Sequence, residues 1–199
     1  TLLPARSKVQ KVKHHAALPY DEIGIFIKDL RKQEGISARG LEFLILTAAR
    51  TGETIGARWD EFDFDKAVWV IPADRMKVDK EHKVPLSSAA LEVLTGLKEI
   101  AHNDFVFPGM RSNTSLSNMA FLQLLKRMGR HDLTAHGFRS SFRDRAAERT
   151  AYPHEVAEMA LAHAVGNKVE AAYRRGDLFD KRRKIMDDWA GFCADNVGA

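Results

Sequence analysis

Cysteine is almost missing from this chain. Cys193 is the single one, which excludes an internal disulfide and fits a reducing cytoplasm. Long apolar runs are missing too, and nothing approaches the ~20 residues that span a bilayer. The opening TLLPARSKVQKVKHH has no apolar core of the kind a signal peptide needs, so neither export nor a membrane is expected. No pair of Cys/His clusters has zinc spacing, and the adjacent His14 and His15 read as polar residues of a basic tail. Neither a metal nor a cofactor is expected. Repeats and low-complexity tracts are absent, and so is an initiator methionine, which suggests a piece of a longer protein.

What is present is an ordinary globular balance. With 199 residues, 45% hydrophobic and 29% charged, the chain is long enough for one well-buried domain with a tail. Its net charge is only +4, but the basic residues cluster. Arg6, Lys8, Lys11 and Lys13 form a leader, a second group runs from Lys126 to Arg149, and a third from Arg174 to Lys184. Clustering of this kind, with a pI near 9.2, argues for a polyanionic partner.

Residues 1–17 read as a basic linker, and 18–199 as the folded domain. Ile23, Phe26, Ile27 and Leu30 recur at helical spacing up to Gly35. SARGLEFLILTAARTG is the most apolar helix, with Leu41, Leu44, Ile45 and Ala48 on its buried face and a stop expected at Gly52. A short helix from Glu53 to Arg58 follows. The period then changes. FDFD, AVWVIP and HKVPL are short and β-branched, which predicts a small antiparallel sheet between Phe62 and Leu86, with Pro85 at an edge or strand end. A charged hairpin connection carries Lys77. Helices are predicted over Ser88–Ile100, Ser117–Met128, Ala135–Arg149, Pro153–Leu161, Lys168–Arg174 and Phe179–Asn196. The fold class is therefore mainly α with a small three-stranded antiparallel β-sheet.

TAHGFRSSF places His136, Arg139 and Arg143 on one helix side and Phe138, Phe142 and Ala146 on another. Thr134 is a suitable N-cap. The aromatics anchor the helix, while the basic stripe either faces solvent or points at one anion. Arg50 sits where an apolar helix ends, the place of an arginine that caps carbonyls, with Glu53 three residues on. Lys77 on a hairpin reads alone as a solvated lysine, His163 as a turn residue, and Tyr173 as a core ring.

Taken in order, Arg50, Lys77, His136-x-x-Arg139, His163 and Tyr173 resemble the catalytic signature of the tyrosine recombinase (phage integrase) family. TAARTGETIGARWDEFD, RMKVDKEHKVPLS, TAHGFRSSFRDRA and LAHAVGNKVEAAYRR carry the resemblance, which runs from Ala16 to Trp189 and is similar to integrases of prophages and genomic islands. One departure is Thr51, where many members have proline.

The resemblance implies site-specific DNA recombination by metal-free transesterification. Arg50, Arg139 and His163 would hold the phosphate, and Tyr173 would attack it to give a 3′-phosphotyrosyl bond. His136 would accept the proton or support its acceptance, and Lys77 would protonate the departing 5′-oxygen. Glu53 would orient the basic groups from behind, and Arg143 and Arg145 are candidates for DNA phosphate contacts. The partner implied is double-stranded DNA, bound by a tetramer, with the isolated domain possible as a monomer. The C-terminal helix, about 179–196, either packs on its own domain or on a neighbour. Two rivals stand beside this reading: a catalytically silent DNA-binding relative, and type IB topoisomerase-like strand relaxation.

Overall fold

The computed structural model describes residues 16–77, 79–163 and 176–195. The expected linker up to residue 15, the helix over 168–174 and Tyr173 lie outside these residues. Eight α-helices are described: α1 (Ile23–Arg31), α2 (Ile36–Thr47), α3 (Thr51–Ile55), α4 (Ser88–Lys98), α5 (Ala120–Arg127), α6 (Gly137–Arg149), α7 (His154–Ala160) and α8 (Phe179–Asp195). Three strands, β1 (Phe62–Asp63), β2 (Val68–Ile71) and β3 (His82–Pro85), form an antiparallel sheet in the order β1-β2-β3. Pro85 ends the edge strand β3, where a missing N–H is tolerated.

Helix α2 is buried on more than one face. Leu41, Phe43, Leu44, Ile45 and Leu46 are all at or below 2% exposure. A helix that is apolar around its circumference belongs in the middle, and α1, α4, α5 and α8 pack around it. Helix α8 packs on its own domain: Ile185, Met186 and Trp189 are buried, and the Trp189 indole donates to the Ile45 carbonyl at 2.7 Å.

Helix α2 stops earlier than its sequence suggests. It ends at Thr47, with Ala48 left-handed at φ 50°, and Gly52 lies inside α3. An alanine in that conformation costs about 1–2 kcal/mol, so local propensity points elsewhere. A distant contact overrides it: the guanidinium of Arg139 donates to the Ala48 carbonyl. Arg50 then becomes the N-cap of α3 and Thr51 its first residue. Proline is favoured at that first position, because its fixed φ suits the helix and its missing N–H costs nothing there. Thr51 fills the same place with an ordinary helical residue.

Helix α6 is fixed from both sides. Phe138 meets Phe26 of α1 at 4.9 Å between ring centroids, and Phe142 meets Trp189 of α8 edge-on at 5.5 Å. The Thr134 hydroxyl accepts the Gly137 N–H at 3.1 Å, but the N-cap position falls on His136 and the regular helix begins only at Gly137, later than expected. Gly137 is required by close approach. A Cβ there would lie 2.1 Å from the Ala16 carbonyl oxygen, and the Ser141 hydroxyl donates to the Leu18 carbonyl nearby. The chain is thus packed on α6 already at Ala16 and Ala17, slightly before the boundary that composition suggests.

Candidate active site

Two helix ends build the site. At the end of α7 the Ala162 N–H donates to the Met159 carbonyl at 3.1 Å, and the His163 N–H donates to the Glu158 carbonyl at 2.9 Å, with Ala162 left-handed at φ 50°. This paired closure fixes His163 directly beyond the helix. The carbonyls of Leu161 and Ala162 are left pointing outward, at the negative end of the helix.

Both arginines converge on those carbonyls. Arg50 Nη2 donates to Leu161 O at 3.3 Å and Ala162 O at 3.0 Å, while its Nη1 donates to Glu53 Oε1 at 2.6 Å. Glu53 Oε2 accepts the Arg50 backbone N–H at 2.8 Å, so one carboxylate fixes both the backbone and the head of Arg50. Arg139 Nη2 donates to Leu161 O at 2.7 Å and lies 3.2 Å from His163 Nε2, and its Nη1 holds Ala48 O. Arg139 Nε has no acceptor among the described residues.

Arg139 is 4% exposed, so it is no part of a solvated stripe. Burial lowers its pKa to about 10, with the neighbouring Arg50 charge adding to the effect and Glu53 and Glu158 opposing it. It therefore keeps its charge at neutral pH. A carbonyl-capping role, the bland reading of Arg50, is also present. It is exerted on α7 and not on the helix that Arg50 follows.

The remaining positions lie around this cluster. Lys77 is exposed on the β2–β3 connection, beyond a short turn, Ala73–Arg75. His136 is exposed at the N-cap of α6. Arg143 is half exposed, with Nε 2.5 Å from Glu158 Oε1. Arg145 of α6 has its guanidinium over the Phe192 ring of α8 at 4.2 Å, a cation–π contact that ties the two helices together.

A match to the Phage integrase family covers residues 18–177. The chain belongs to the phage integrase family. It is 40% identical over 149 residues to prophage integrase IntA of Escherichia coli K12, covering 73% of this chain and 36% of IntA. It is 34% identical over 202 residues to the integrase of Enterobacteria phage P4, covering 92% of this chain and 46% of that protein. This family member thus spans about half or less of the length of these relatives. The fold agrees with the integrase of mycobacterium phage Brujita, at TM-score 0.66 and 13% identity over 96% of this chain and 61% of that one. It agrees also with a lambda integrase dimer bound to a COC′ core site, at TM-score 0.55 and 20% identity over 75% and 57% of the two chains.

The sequence reading of this integrase-family site missed four supporting residues. Arg75 donates to Glu61 and, at 2.6 Å, to the Glu53 carbonyl, tying the start of the Lys77 connection to α3. Arg182 is 2% exposed and joins the Asp177 carboxylate, at 2.6 Å, to the Lys83 carbonyl of β3. Glu158 accepts from both Arg143 and His163. None of these announces itself, because a single Arg or Glu on a helix is ordinarily solvated.

His82 is the fourth, visible only as the histidine of HKVPL. Burial, helped by the Arg182 and Arg50 charges, lowers its pKa to about 4, with Glu53 and the Ala160 backbone opposing. The imidazole is neutral in the folded protein. Its folded pKa lies below the ordinary 6.5, so the unfolded chain binds the extra proton first as pH falls. The contribution to stability is whole above about pH 6.5 and disappears towards pH 4, amounting to up to about 3 kcal/mol. Urea unfolding of the wild type and His82→Gln at pH 7, 5.5 and 4.5 is expected to show a steeper acid loss in the wild type. Parallel losses would mean that His82 is not the group responsible.

Proposed function

We propose that this domain cleaves and rejoins DNA as a site-specific tyrosine recombinase serving the integration or excision of a mobile element. The observation that carries the reading is the convergence of Arg50, Arg139 and His163 on one helix end, held by Glu53 and Glu158. A phosphodiester is anionic, and its pentacovalent transition state gathers more charge on the non-bridging oxygens. Fixed cationic donors that stay charged stabilise that change without reorganising during reaction. Guanidiniums suit the task because each offers a planar fork of donors.

In this mechanism the Tyr173 hydroxyl oxygen attacks the scissile phosphorus as the bond to the 5′-oxygen breaks. His136 takes up or supports uptake of the phenolic proton, and Lys77 gives a proton to the departing 5′-oxygen. The 3′-phosphotyrosyl bond conserves the diester energy, so a second 5′-hydroxyl reverses the step on a new strand. His163 donates a hydrogen bond to a non-bridging oxygen. No step needs a metal, since the cationic side chains supply the charge.

The other tyrosines support the assignment by their surroundings. The Tyr20 hydroxyl donates to Glu148 at 2.8 Å, and the Tyr152 hydroxyl donates to Asp188 at 2.6 Å. Burial and then Asp188 raise the Tyr152 pKa to about 12, which opposes a phenoxide nucleophile. Double-stranded attachment-site DNA is the partner, a tetramer on two sites is the working assembly, and the cytoplasm is the compartment. DNA-bound relatives of the same fold favour the partner: the lambda integrase complex, and XerH bound to difH substrate.

The test is a suicide substrate nicked beside the cleavage site, incubated with full-length protein and a chelator. A covalent protein–DNA species is expected on denaturing gels. Absence of the adduct, or its loss on chelation alone, refutes the reading.

A further inference from the structure

We propose that Glu158 is a positioning residue that fixes the ring orientation and the tautomer of His163. Its place follows from the closure of α7, which brings the Glu158 and His163 side chains together as their backbones bond at 2.9 Å. Glu158 Oε2 lies 2.8 Å from His163 Nδ1, and Arg143 Nε holds the other oxygen at 2.5 Å. His154 Nε2 stands 3.8 Å from that same oxygen. The carboxylate is thus held by Arg143 of α6 and by His163 directly beyond α7, with a side-chain exposure of only 12%.

The ring sits between one group that only donates and one that only accepts. On one side, Arg139 Nη2 is 3.2 Å from Nε2, and a guanidinium has no lone pair to offer. On the other, Glu158 is ionised: burial pushes its pKa up, but the hydrogen bonds from His163 and Arg143 outweigh this and lower it. An ionised carboxylate only accepts. One neutral arrangement satisfies both neighbours, with the proton on Nδ1 donated to Glu158 and the Nε2 lone pair turned to Arg139. The free neutral histidine side chain favours the proton on Nε2, so the carboxylate dictates the opposite arrangement, as orienting partners of catalytic histidines do elsewhere.

The catalytic consequence rests on the recombinase reading above. Nε2 donates to a phosphate oxygen only once the ring has taken a second proton from solvent, so that it carries one on each nitrogen. Glu158 keeps the Nδ1 proton engaged and the ring plane fixed, so that Nε2 stays aimed at the place beside Arg139 where that oxygen would bind. Arg143 supports this by immobilising Oε1 and does not set the tautomer.

Two measurements separate this inference from that reading. Nitrogen-15 NMR of histidine-labelled protein, with His163 assigned through His163→Gln, is expected to show the neutral ring protonated at Nδ1. In Glu158→Ala the same signal shifts towards the Nε2-protonated form, whereas Arg143→Gln keeps the wild-type pattern. A wild-type ring protonated at Nε2, or a Glu158→Ala spectrum like the wild type, overturns the positioning role whatever cleavage assays give. In full-length protein, Glu158→Ala is expected to slow suicide-substrate cleavage on the order of 10- to 100-fold with DNA affinity retained, and Glu158→Asp to recover part of the rate. Unchanged cleavage with an altered tautomer overturns the link to catalysis alone.

Discussion

Tyr173→Phe is expected to eliminate the covalent DNA adduct while leaving DNA affinity within about twofold of the wild type. This is the largest effect expected of any single change. Phenylalanine keeps the ring but removes the hydroxyl oxygen that forms the bond in the proposed mechanism. No neighbouring base or acid compensates, because nothing remains to be activated. The measurement is a denaturing gel of suicide-substrate reactions, with a gel-shift titration of the same preparations. A persisting adduct shows that another hydroxyl attacks, and Tyr20 and Tyr152 are poorly suited to do so. Both donate to carboxylates. A joint loss of adduct and binding would instead point to a folding role for the Tyr173 hydroxyl.

Arg139→Lys is expected to lower the single-turnover cleavage rate by about 10²–10³-fold, with a far smaller change in affinity. The charge survives, so the distinction lies in geometry. Arg139 reaches Ala48 with one nitrogen and both Leu161 and His163 with another, leaving Nε without an acceptor among the described residues. A lysine has one nitrogen on a flexible stem and cannot hold two helix-end carbonyls while presenting a donor to a third group. Some stability is lost as well, at about 1–3 kcal/mol for each buried acceptor left unpaired. Rates are therefore compared well below the unfolding transition of the variant. Equal losses of cleavage and binding would reduce Arg139 to a docking contact.

Helix and strand periodicity revealed the architecture because burial follows it closely. Ile23, Phe26, Ile27 and Leu30 stand on the buried side of α1, and FDFD, AVWVIP and HKVPL become the three strands. Breaks between elements were less legible. The stop at Thr47 depends on Arg139, a residue 91 positions from Ala48, and no window of sequence contains both. The site divides in the same way. Arg50, Arg139 and His163 were found through motif order, and they meet at one helix end. The supporting side chains around them, Glu158, Arg75, Arg182 and His82, carry no recognisable pattern of their own. Arg75 and Arg182 are placed by bonds between distant segments, which appear only once the helices and the sheet are assembled. The contact of Arg145 with Phe192 was equally illegible, since it joins α6 to α8.

The double attachment of Arg139 has a further consequence for how related sequences are interpreted. Because it fastens the ends of α2 and α7 to α6, replacing this arginine would weaken the fold as well as any chemistry at the site. A relative that had lost strand exchange but still depended on the same fold would be expected to need it for the sake of its architecture. An intact Arg139 is thus an indication of fold integrity before it is one of activity. Evidence of lost recombination is better sought at positions that bear no such mechanical burden.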